Sequence, residues 1–242
     1  MRMITLVAVM LLPAVAIAYH YGPGQALMAL DDASVQLQQA EKFAKQERFS
    51  QAIKSYDAAL AKIPSDRVDL SRRVRLERAK ARLNNQGLAE AYDDLMELKD
   101  EIEAKNSTAP ADFDADLRKT IANAQYYMTW LLRLEGEARE KWEPDIEASR
   151  QNFKLLADAA RNSGQESVAM QHESDLESAI RLARMDLSDL QALPLPKQCQ
   201  GCCSGNCKGK CKGKGKSPKQ GEQKPEDARG AGSGPPPDEK GS

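Results

Sequence analysis

The sequence predicts an all-α protein: about three helical hairpins, a C-terminal capping helix and a disordered tail. Three observations predict it. First, Ala, Leu, Glu, Lys, Arg and Gln dominate the middle of the chain and aromatics make up only 5%. These straight side chains lose little rotamer freedom in a helix. Second, apolar residues in that region recur at i, i+3 and i+4, the spacing of one helix face. Third, beyond Leu193 the chain turns to Gly, Lys, Pro, Ser and Glu. Such a segment has no apolar surface to bury, so nothing offsets the entropy of ordering it.

The N-terminus, MRMITLVAVMLLPAVAIAYHYG, places Arg2 before an apolar run from Met3 to Ala18. Ala16-Ile17-Ala18 has the small-x-small form of a cleavage site, so residues 1–18 read as a signal peptide. The competing reading is an uncleaved N-terminal anchor, for which the run is short against the ~20 residues of a span. Either way the chain is expected to be exported: periplasmic, secreted, or membrane-anchored if the signal stays. Residues 19–31 read as a leader in which Gly22-Pro23-Gly24 blocks regular structure.

Residues 32–105 carry the first helices. In AEKFAKQERFSQAIKSYDAALAKIP, Ala40 and Phe43 mark one stripe, and Phe49, Ala52, Tyr56, Ala59 and Leu60 mark another. Glu47-Arg48 leaves room only for a tight turn between them. Ser50 sits near the second helix's start and Pro64 stops it. In RAKARLNNQGLAEAYDDLMELKD the alternation returns as Ala79, Leu83, Leu88, Ala91, Leu95 and Leu98. Asn84 to Gly87 is the turn, with Gly suited to a helix C-terminus.

Small, aromatic, aromatic, small, aromatic, Ala-Leu and a closing Pro at this spacing resembles the tetratricopeptide repeat, a helix–turn–helix unit of about 34 residues. The second segment is similar but departs from the pattern: Arg82 stands where the first has Phe43, and no Pro closes it near Glu103. The resemblance covers roughly residues 33–105. It implies stacked hairpins with a concave surface that binds peptide segments or partner proteins.

Residues 106–114 read as a linker, from the Asn, Ser, Thr and Pro of KNSTAPADFD. Asn106-Ser107-Thr108 has the form of a glycosylation sequon, a triplet common by chance. Residues 115–191 then supply a further hairpin and the capping helix. Leu117, Ile121, Ala124, Met128 and Leu131-Leu132 form one stripe, widened by Tyr126, Tyr127 and Trp130. Pro144 is expected in a first helical turn, ahead of Ile146, Phe153, Leu156 and Ala160, with Gly164 as C-cap. A last helix, about 165–190 by its apolar spacing, is expected to face Val168, Leu176, Ile180, Ala183 and Leu187 inward.

No catalytic constellation is present, and the chain reads as non-enzymatic. The two histidines, His20 and His172, read as surface residues. Neither has the partners of a triad or a zinc site. Trp130 and Trp142 read as packing residues.

Chemistry concentrates in the tail, residues 192–242. All five cysteines lie in CQGCCSGNCKGKC: Cys199, Cys202, Cys203, Cys207 and Cys211. As thiolates they could hold a soft ion, Zn(II) or Cu(I). The Lys residues among them offset the ligand charge, and the composition is generically similar to metallothionein segments. An exported thiol cluster also tends to oxidise, and an odd number cannot all pair within one chain. Vicinal Cys202 and Cys203 are awkward to bridge to each other. Metal ligation and disulfide or intermolecular cross-links both remain open. The Lys-Gly run from Lys208 to Lys216 gives weak, salt-dependent contact with a polyanion or envelope surface. With no aromatic interleaved to stack bases, specific nucleic-acid binding is not expected. Two functions follow: an exported scaffold for protein–protein interaction with a flexible Cys/Lys tail, or an envelope metal-binding protein whose tail is the working part.

Overall fold

The structure, a computed structural model, describes residues 23–104 and 109–201. The expected signal peptide, the Asn106 sequon and four of the five cysteines lie outside the described residues. Those residues form an all-α fold with no strand among them. The helices are α1 Pro23–Lys45, α2 Phe49–Leu60, α3 Val68–Asn84, α4 Leu88–Ala104, α5 Ala111–Leu134, α6 Arg139–Asn162, α7 Glu166–Arg184, α8 Leu187–Ala192 and α9 Lys197–Gly201. None of them is long and apolar enough to cross a membrane. The chain divides into two compact units, with the boundary inside α3 between Arg78 and Ala79.

In the first unit α1 and α2 pack as a hairpin. Ala33 and Ala40 are buried on α1, and Ala52, Ser55, Tyr56 and Ala59 on α2. Lys62 pairs with Asp32 at 3.0 Å, and Arg78 with Asp57 at 2.9 Å. Exposed pairs of this kind contribute ~0.2–1 kcal/mol each, so apolar burial carries the hairpin.

The second unit is organised around α5, which lies against α4, α6, α8 and α9. Tyr127, Trp130 and Thr129 of α5 are fully buried. Removing an aromatic side chain of this size from water contributes roughly 2–3 kcal/mol. Tyr126 meets Tyr127 and Trp130 edge-on, with ring centroids 5.3 and 6.1 Å apart. Two buried hydroxyls are satisfied by backbone: Thr129 donates to the Gln125 carbonyl, and Ser149 of α6 donates across to the Ala122 carbonyl, each at 2.9 Å.

One turn design recurs at four helix ends. Glu47, Gln86, Gly136 and Gly164 all have positive φ, between 57° and 73°. The next residue's N–H reaches five back: Arg48 to Phe43, Gly87 to Arg82, Glu137 to Leu132 and Gln165 to Ala160, each at 2.9–3.0 Å. This is the Schellman arrangement, which satisfies carbonyls the helix end leaves open. On either side of three of these turns, at the same chain separation, sit buried alanines: Ala40 and Ala52, Ala79 and Ala91, Ala157 and Ala169. A side chain of one carbon lets paired helices approach closely. In the α5–α6 hairpin, whose turn is one residue longer, Thr129 occupies the first of these places.

Several expectations are corrected. The leader is not irregular to residue 31: α1 begins at Pro23, where the missing N–H is one the first turn leaves unpaired anyway. The linker ends earlier than 114, because α5 starts at Ala111 with Asp112 and Asp114 in its first turn, where the helix dipole favours acids. Pro144 lies in the second turn of α6, not the first. The αL residue of the second turn is Gln86, not Gly87. The last long helix ends at Arg184, and Met185-Asp186 separates it from the short α8.

The inward face of α7 is also rotated from the one expected. Val168 and Leu187 are exposed, and the buried positions are Ala169, His172, Asp175, Ser178, Ala179 and Leu182. The largest apolar residues misplace the phase because small and polar residues carry the buried face. His172 is therefore a buried residue rather than a surface one. Finally, ordered chain continues past residue 192: α9 lies against α4 and α5.

Candidate functional site

Of the five cysteines, the structure places Cys199; Cys202, Cys203, Cys207 and Cys211 lie outside the described residues. Cys199 sits in the middle of α9. Its exposure is 0%, and its Sγ donates to the Tyr127 carbonyl at 3.6 Å. Pro196 and Gln198 beside it are also buried. The Cys199 N–H donates to the Pro196 carbonyl at 2.9 Å. Gln200 receives a 3.4 Å hydrogen bond from Gln86, at the turn between α3 and α4. A buried cysteine behaves as a small hydrophobe with a weak donor, and this one holds the end of the described chain against α5.

Sequence alone misses this burial because Lys197 and the glycine-rich run that follows mask a short apolar contact. The readable signal was Leu193, Leu195 and Pro196, apolar residues with no reason to lie in a solvated tail.

Other polar groups serve structure. Tyr92 of α4 donates to Asp145 of α6 at 2.7 Å. Burial raises the Tyr92 pKa first, and the carboxylate it meets raises it further. Burial also raises the Asp145 pKa, with the Tyr92 hydrogen bond working the other way. Arg133, at the end of α5, donates to the Leu182 and Met185 carbonyls at the C-terminus of α7. Its guanidinium lies 4.9 Å from the Trp142 ring centroid. Burial lowers its pKa, opposed by Asp186.

His172 and Asp175 form a pair not foreseen from the sequence, with Nδ1 and Oδ2 3.8 Å apart. Their i, i+3 spacing on one helix was the available signal. Both are buried, and among the described residues those two atoms have no hydrogen-bond partner. Among the described residues no group of three His, Cys, Asp or Glu side chains is placed to hold a metal ion.

The outer face of α1 offers a different kind of surface. Gln38, Glu41, Lys42, Lys45 and Gln46 line an open cleft of about 490 Å³. Val35, one turn before it, is 59% exposed, and Leu27 and Met28 are exposed nearer the start of the helix. Apolar and cationic side chains side by side on a rigid helix suit contact with an extended or helical segment of another protein.

No family model matches the chain, and no curated protein or solved structure matches it.

Proposed function

We propose that the chain is an exported, non-enzymatic scaffold of the tetratricopeptide type that holds a protein partner on its helical hairpins. The observation that carries this reading is the recurrent hairpin: one turn design, with buried alanines at a fixed separation on either side. A repeated packing unit of this sort builds surface rather than a catalytic pocket. The outer face of α1, from Val35 to Gln46, is the surface proposed to meet the partner. Export rests on the N-terminal apolar run and its small-x-small end.

The test uses the chain recovered from its native compartment. A version ending at Gly201 is expected to retain the partner. A variant carrying Val35→Asp, Lys42→Glu and Lys45→Glu is expected to lose it. Retention by the triple variant, or loss on removing the tail, would assign binding elsewhere.

A second role belongs to the tail. The cysteines beyond α9 stand among lysines with no acid between Lys197 and Lys219, a composition suited to binding Zn(II) or Cu(I) through thiolates. Elemental analysis of anaerobically purified chain, beside a variant with every cysteine replaced by Ser, tests it. Cys-dependent metal supports the role and its absence removes it.

A further inference from the structure

We propose that the groove between α4 and α5 is a binding site for a short linear segment of another protein, and that the chain's own α9 fills it as a displaceable plug. The segment it fits carries a proline, then an apolar and a small side chain two and three positions on. The site lies within the second unit and shares no residue with the α1 face.

The seat and its occupant define the chemistry. α4 and α5 pack on each other, and α9 lies against both. At five residues, Lys197–Gly201, α9 is too short to hold helical shape alone in water. The groove therefore imposes that shape. Pro196, Gln198 and Cys199 are buried, while Lys197 between them is exposed. Two hydrogen bonds are local to the plug and travel with it: the Cys199 N–H to the Pro196 carbonyl at 2.9 Å, and Gln200 to the Leu195 carbonyl at 3.4 Å.

The hold on the groove is weak. The Cys199 thiol, a poor donor, reaches the Tyr127 carbonyl at 3.6 Å. Gln86 donates to Gln200 at 3.4 Å, long for a bond of this kind. Gln198 Oε1 is buried with no partner among the described residues, a cost that docking carries. An apolar side chain at that position leaves no oxygen unpaired. Leu193 to Pro196 joins α9 to α8 without regular structure, and its two prolines have no N–H to lose. α9 can thus swing out while α4, α5 and α8 keep their own backbone hydrogen bonds. Its tether keeps it seated by an effective concentration of about millimolar, until a better-fitting segment arrives.

The experiment uses the full, reduced chain and a synthetic peptide of residues 193–201 carrying Gln198→Leu and Cys199→Ala, which iodoacetamide leaves unmodified. Labelling of Cys199 in the chain is followed by peptide mass spectrometry. Peptide at about 1 mM should speed it at least about threefold, because a filled groove leaves α9 in solvent. The same peptide with Cys199→Glu should have no effect, since a carboxylate has no partner at a fully buried position. A full chain carrying Cys199→Glu, helical as wild type by circular dichroism, should bind the fluorescein-labelled Ala peptide at least about tenfold more tightly than wild type, its own plug being expelled. Cys199 labelling unchanged by the peptide, or equal affinity in the two chains, would overturn the proposal and leave the α1 reading standing. If Cys199→Glu does not fold, the labelling of wild type decides alone.

Discussion

Arg133 makes the most demanding structural prediction. One guanidinium donates to two carbonyls at the C-terminus of α7, Leu182 and Met185, and lies 4.9 Å from the Trp142 ring centroid. Replacing it with Met keeps the stem and its packing but removes three interactions. Each hydrogen bond from a charged donor contributes roughly 1.5–3 kcal/mol when well buried. The cation–π contact adds about 0.5–1 kcal/mol, and the charge at a helix C-terminus about 0.3–1 kcal/mol. Arg133 is only partly buried, so water replaces some of what is lost. The terms also share one side chain and do not add fully. The net expectation for Arg133→Met is a loss of about 2–4 kcal/mol from the second unit. At roughly 3–4 °C per kcal/mol, that lowers its Tm by about 6–16 °C. Arg133→Lys keeps the charge but not the planar fork, and should lose about half as much. Urea melts followed by circular dichroism and by tryptophan fluorescence give both values; Trp130 and Trp142 both belong to this unit. A Met variant within ~0.5 kcal/mol of wild type would refute the claim that Arg133 closes the end of α7.

Two further predictions concern the turns and pH. Gly164 has φ +73°, and the space where a Cβ would stand is open to 4 Å, so Gly164→Ala should cost ~1 kcal/mol through backbone strain alone. Gln86→Gly, at φ 63°, should move stability the other way, by roughly 0.5–1 kcal/mol; equal signs in thermal melts would contradict the shared turn design. Burial, with Glu77 and Glu41 nearby, pushes the Tyr56 pKa from 10.0 to about 12. The raised value means its contribution is full below pH 10 and is lost as pH rises through about 12. The first unit should therefore lose roughly 2–3 kcal/mol over that window, with Tyr56→Phe abolishing the loss. The chain has six tyrosines, so the readout is the difference between wild type and Tyr56→Phe: a difference tyrosinate absorbance appearing well before unfolding would show Tyr56 to be accessible.

Much of the fold was legible because apolar periodicity and turn length survive without long-range information. The stripes through Leu88, Ala91, Leu95 and Leu98, and through Ile146, Phe153, Leu156 and Ala160, are buried as their spacing implies. Periodicity misleads where small or polar residues form the buried face. On α7 the large apolar Val168 points outward, as does Leu187 at the start of α8, while Ala169, His172 and Asp175 are buried. It also misleads where a helix starts at an unfavourable-looking residue, as at Pro23. Spacing groups Cys199 with the other four cysteines of the tail. Its separate place in the core was not legible, because its burial depends on Tyr127, far away in sequence.

Whether the α1 face meets a protein partner can be read by site-specific photocrosslinking in the native compartment. A photoreactive residue at Val35 or Gln38 of the full chain should yield an adduct with one and the same other protein. The same residue at Leu155, which is equally exposed on α6, should not. Adducts from all three positions alike, or none from α1, would remove the α1 face as the binding surface.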